Sequence, residues 1–167
     1  MGIFDRLFKV DSSKVKDLKL SREEAFLTIV LSAVACDEEF APEEIGAMFH
    51  SLARMVVFQS IPDERRKELI NKFIAFIRRE GVGTMITLAK SHLDEKMLET
   101  AFALAVDIVL ADGVVKPKEK EFLEQLQEAV GFSDKHAEQI VNVMVIKNRG
   151  AGQDWYRFDE KSKHLYG

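Results

Sequence analysis

Apolar residues recur along the chain at helical spacing, with the gaps of three and four that line one face of an α-helix. Ile70, Phe73, Ile74 and Ile77 form such a stripe on an otherwise charged stretch. Ala25–Cys36 is apolar nearly all round, which predicts a central buried helix. Further periodic segments predict helices over about 42–56, 62–80, 83–92, 94–111, 117–130 and 134–147. Boundary signals agree. Ser21–Arg22–Glu23–Glu24 is a capping box, in which the hydroxyl takes a free first-turn amide while Glu24 reaches back. Pro42, Pro62 and Pro117 each precede two charged residues and then a helical pattern, so they read as helix starts. Gly81 and Gly131 stand where a helix end favours a left-handed residue. Ser133–Asp134 supplies a cap for the last segment. No alternating run bounded by turns occurs, so no strand is expected. The prediction is an all-α fold, a single domain of about seven helices, with 22–36 and 94–111 the most buried. Residues 1–20 read as an N-terminal amphipathic segment, 21–147 as the helical domain, and 148–167 as a polar tail carrying Trp155, Tyr156 and Phe158.

Composition narrows the class. At 167 residues and 47% apolar, one core can hold the chain. A net charge of -4 excludes a generally basic nucleic-acid binder, so no nucleic-acid partner is expected. A single cysteine excludes a disulfide framework and a Cys-rich zinc site. The longest apolar stretches, Phe26–Cys36 and Ala101–Ala111, are too short to span a bilayer, and the expected location is the cytoplasm. In residues 1–10, Ile3, Phe4, Leu7 and Phe8 fall on one side. They are expected to dock on the domain or stay disordered, with a partner or peripheral contact at the inner membrane as the alternative. Arg6 stands where a myristoylation signal wants Ser or Thr.

The informative feature is an internal match. Shifting the chain by 75 residues sets Asp37 on Asp112, Phe40 on Val115, Pro42 on Pro117 and Glu44 on Glu119. The helical patterns before each Asp match in apolar character too. Two helix–loop–helix units thus share D-x-x-[FV]-x-P-x-E, and each hairpin needs another surface to cover its apolar face. The spacing is also that of the second half of a calcium-binding EF loop, where the closing Glu binds through two oxygens. The first half is missing: Ala33, Ala35, Ile108 and Leu110 carry no side-chain oxygen where such a loop needs one. A true EF hand is excluded, and a two-carboxylate fragment remains, present twice. Asp37, Glu44, Asp112 and Glu119 are therefore candidate ligands of a divalent cation, calcium or similar. The competing reading is structural, with each Glu bonding its own loop's amides and each Asp closing a turn. On the helix from Pro117, Phe122, Leu123, Leu126 and Val130 define the inner face, and Glu119 falls near its centre. Residues 37–44 hold five acids and no base, so Glu38, Glu39 and Glu43 are candidates for contact with a protein partner.

This duplicated pattern resembles the TerB, or tellurite-resistance, family. The residues that carry the resemblance are Ala-Asp-Gly-Val-Val-Lys-Pro-Lys-Glu119, Cys-Asp-Glu-Glu-Phe-Ala-Pro-Glu-Glu44 and the opening Met-Gly-Ile-Phe-Asp-Arg-Leu-Phe. It covers residues 1–132 or so, and implies an all-helical domain with an accessory role in resistance to tellurite and other stresses. The N-terminal region of a membrane-associated J-domain co-chaperone is similar too, although no His-Pro-Asp tripeptide occurs here. In the first copy Glu38 stands where the family pattern has glycine. If that glycine takes positive φ, Glu38 implies strain or a different loop.

Other candidates read as structural. The Glu99, Ala103, Asp107 and Ala111 stripe is expected to be a wet helix edge, with a paired internal acid as the alternative. Cys36 lies beside acids at a helix C-terminus, which disfavours a thiolate. His50, His92, His136 and His164 show no ligand spacing. Arg65, Arg66, Lys67, Lys72, Arg78 and Arg79, interleaved with acids, read as a solvated face with helical ion pairs. The functional expectation is a non-enzymatic stress-response module that binds a divalent cation weakly, or a protein partner, through its acidic loops. The alternatives are a metal-dependent hydrolase using the same acids, for which no motif supplies an electrophile stabiliser, and a co-chaperone-like adaptor at a membrane.

Overall fold

The computed structural model describes residues 13, 18–36, 42–111, 113 and 115–148, apart from the side chains of residues 42–44 and 47. Among the described residues there are seven α-helices and no strand. They are α1 (Arg22–Ala35), α2 (Pro42–Ala53), α3 (Asp63–Glu80), α4 (Val82–Lys90), α5 (Glu95–Val109), α6 (Pro117–Val130) and α7 (Asp134–Lys147), with a single 3-10 turn at Val56–Phe58. No described helix is long and apolar enough to cross a membrane.

Helix boundaries follow the local chemistry. Ser21 Oγ accepts the Glu24 N–H at 3.2 Å, and Glu24 Oε2 accepts the Ser21 N–H at 2.9 Å, completing the capping box of α1. Asp94 caps α5 by accepting the Met97 N–H at 2.8 Å. Ser133 caps α7 by accepting the His136 N–H. Pro42 and Pro117 open their helices, and Pro62 immediately precedes α3. Gly131 ends α6 at φ 82°, a left-handed turn that a side chain would strain.

Helix α1 is the centre. Every residue from Ala25 to Ala35 is buried, because α3, α4 and α5 pack around it and α6 touches it. The rings of Phe26 and Phe58 meet at 5.7 Å, and those of Phe102 and Phe132 meet edge-on at 5.7 Å. Thr28 and Ser32 are buried without cost to the core, since their hydroxyls donate to Glu24 O and Thr28 O, each at 2.8 Å.

The orientation of α1 and α5 matters most for function. Arg22, at the start of α1, pairs with Asp94, at the start of α5, at 3.1 Å. Nearby, the Leu20 N–H donates to His92 Nε2 at 3.4 Å. The two helices also share the most extensive interhelical packing in the fold, so they run side by side in one direction. At 14 and 15 residues each rises about 21–23 Å. Their C-terminal ends, Cys36 and Leu110, therefore emerge at the same end of the domain. Helix α7 runs along α5 in the same sense: His136 bonds Glu99 at 2.6 Å, and Lys147 bonds Asp107 at 2.8 Å.

Three expectations need correction. Helix α5 is not buried all round. Met97, Ala101, Phe102, Ala105 and Val109 face the core, but Leu104 and Ile108 are half-buried, because little packs over that side. Asp107 is not on a wet edge. It accepts bonds from Lys147 Nζ at 2.8 Å and Asn148 Nδ2 at 2.7 Å, and only 20% of its side chain is exposed. The neighbouring α7 makes it a paired acid. Arg66 leaves the solvated face as well. It is 8% exposed, donates to Phe58 O at 2.9 Å and Ile61 O at 2.6 Å, pairs with Asp63, and lies over the Phe49 ring. It holds the 3-10 turn and the start of α3 together. Arg65–Glu68 and Lys67–Glu64 form the expected pairs along α3, while Lys72 reaches across to Glu24 of α1 at 3.1 Å.

Candidate functional site

The two acid-bearing loops leave α1 after Cys36 and α5 after Ala111, and both start from the shared end of the α1/α5 pair. In the second loop Gly113 takes φ 78°, the left-handed region. This is the conformation for which Glu38, its counterpart by the 75-residue shift, is poorly suited. Lys116 precedes α6, and its N–H donates to Glu119 Oε2 at 2.7 Å. Glu119 is half-buried, so its carboxylate sits between the loop backbone and the core rather than deep within it. The bond is one half of a capping box. It fixes where the carboxylate sits and satisfies a first-turn amide.

Asp37, Glu38, Glu39 and Asp112 lie outside the described residues, as do the side chains of Glu43 and Glu44. The backbone of Glu43 and Glu44 forms the first turn of α2, where acids favour the helix dipole. Residues 1–10 and 149–167, with their expected docking or membrane contacts, also lie outside. Among the described residues no three His, Cys, Asp or Glu side chains gather into a metal-holding group. Cys36 is buried, and its thiol donates to Ala33 O at 3.1 Å, an inert packing role.

At the opposite end, where α1 starts, Glu24 has a displaced titration. Burial pushes its carboxyl up, but the Ser21 N–H and the Lys72 ammonium at 3.1 Å outweigh burial and hold it below the usual carboxylate range.

Sequence reasoning missed one feature. A groove of about 460 Å³ opens between α2, α5 and α7. It is lined by the apolar Met55, Leu104 and Met144 and by the polar His50, Arg54 and Lys147. The available signal was Leu104 itself, an apolar residue outside the Met97/Ala101/Ala105 stripe that faces the core.

A model of the tellurite resistance protein TerB family matches residues 23–142. The match takes in both helix–loop–helix units and the first part of α7, and the chain belongs to this family. No curated protein and no solved structure matches it.

Proposed function

We propose that this tellurite-resistance family member is a non-enzymatic stress-response module of the cytoplasm, and that its two acidic loops act together. In this reading Asp37, Glu44, Asp112 and Glu119 bind one divalent cation weakly. Glu38, Glu39 and Glu43 extend the same acidic surface toward a protein partner. The observation that supports it is the parallel α1/α5 pair, tied at its start by Arg22 and Asp94. Helix lengths of 14 and 15 residues then carry the origins of both loops to one end, where two carboxylates from each can converge. Each loop alone supplies too few oxygens for calcium, which takes six to eight, so a shared site with water completing the shell is the chemically reasonable arrangement. The capping bond from the Lys116 N–H holds the Glu119 carboxylate against the end of its own loop.

The test is thermal melting in chelator and then in millimolar calcium, magnesium or manganese. It is run on the native chain and on a variant with Asp112→Asn and Glu119→Gln. Glutamine keeps an acceptor oxygen for the Lys116 amide, so the cap survives. At tenfold excess over Kd, binding to the folded state adds about 1.4 kcal/mol, a rise of about 3–6 °C for a chain of this size. The rise is expected in the native chain and lost in the variant. A melting point indifferent to every ion rejects the cation site and leaves two capped turns. A rise that survives in the variant places the ion elsewhere.

A further inference from the structure

The groove between α2, α5 and α7 lies outside the acidic loops, and neither the family nor the cation reading uses it. Its apolar wall is Met55, Leu104 and Met144. Apolar surface continues past it. Val56, 81% exposed, follows Met55 in the chain, and Val143, 58% exposed, lies one turn before Lys147 on α7. An apolar groove wall left bare is unfavourable, and such surface marks binding sites. Beside it, Arg54 is exposed and pairs with no acid among the described residues.

We propose that the groove is the docking site for the chain's own C-terminal segment, Asp154–Phe158. Three observations carry this. Helix α7 ends at Lys147, and Lys147 itself lines the groove, so residues 149–167 leave from its margin. Trp155 lies seven positions beyond Asn148, a reach of about 24 Å when extended. That exceeds the length of any helix lining the groove, so the ring can enter without strain on α7. The segment also has the matching chemistry. Within it Trp155, Tyr156 and Phe158 supply aromatic anchors and Asp154 supplies an acid for Arg54, opposite in sign to its one base, Arg157; Asp159 and Glu160 follow directly. Flexible methionine walls suit rings of irregular fit. Docking covers the groove in cis, so any external ligand must displace the segment first.

Trp155 is the sole tryptophan, which makes it a direct probe in the full-length chain. Its emission and its quenching by acrylamide are measured for the native protein and for Leu104→Glu and Arg54→Glu. The expected result is blue-shifted emission in the native chain. Quenching should rise several-fold in Leu104→Glu and by a smaller factor in Arg54→Glu, with circular dichroism unchanged. The Arg54 side chain is exposed and pairs with no acid among the described residues, so its variant reads the contact even if Leu104→Glu fails to fold. A native Trp155 with water-like emission, quenched equally in every folded variant, overturns the proposal. Protection that disappears on dilution also overturns it, and assigns the groove to the tail of a second copy.

Discussion

The sharpest test of the packing compares Ile29→Ala with Leu104→Ala. The two substitutions remove similar apolar volume from helices that the sequence alone ranks as equally central. Ile29 is 0% exposed, on a helix packed from every side. Truncation deletes three carbons' worth of burial, about 2.4 kcal/mol of transfer free energy at about 0.8 per methylene. It also leaves a closed cavity that rigid neighbours cannot collapse, which brings the total to about 2.5–5 kcal/mol. Leu104 is only half-buried and opens onto the groove. Removing it enlarges an existing hollow instead of creating a sealed one, so about 1 kcal/mol is expected. For a chain of this size the Ile29 variant should melt about 5–20 °C lower and the Leu104 variant about 2–4 °C lower. Urea unfolding with unchanged slope would confirm that the shift is stability and not a change in the unfolded state. An Ile29→Ala cost no greater than that of Leu104→Ala would refute the placement of α1 at the centre.

Two further outcomes follow from the ion pairs. Glu24→Gln keeps the capping geometry but loses the charge facing Lys72, so at neutral pH it should cost about 0.5–1 kcal/mol. The folded state holds this carboxyl low. Its contribution is therefore present above the titration range of an unfolded glutamate, about 4.3. It is lost as pH falls through the folded value, so the gap between native and variant urea midpoints must close in acid. A gap independent of pH would show that Glu24 acts through packing alone. Asp107→Ala removes the acceptor shared by Lys147 and Asn148 and should cost about 1 kcal/mol. The loss should appear as faster amide exchange at the last turn of α7, with α1 unaffected. Uniform exchange rates across α7 in the variant would mean that Asp107 does not anchor its end.

The sequence determined the elements of this protein almost completely. Ser21 and Glu24, the prolines before α2, α3 and α6, and Gly131 act through bonds and dihedral limits that span three or four residues, so a linear reading captures them. The all-round apolar run of α1 likewise needs no partner to be recognised as a core helix. The 75-residue match named the acids of the candidate site, but it carried no information on distance between the copies. That came from Arg22 and Asp94, 72 positions apart, which set α1 and α5 parallel and brought both loop origins to one end. Asp107, Arg66 and the open side of α5 depart from the sequence expectation for a common reason. Their environment is made by chain far away in sequence: α7 over Asp107, the turn at Val56–Phe58 against Arg66, and the gap between α2 and α7 beside Leu104. Local periodicity says which face of a helix is apolar; only the packing of other helices decides how much of that face is covered, and the groove is the part left open.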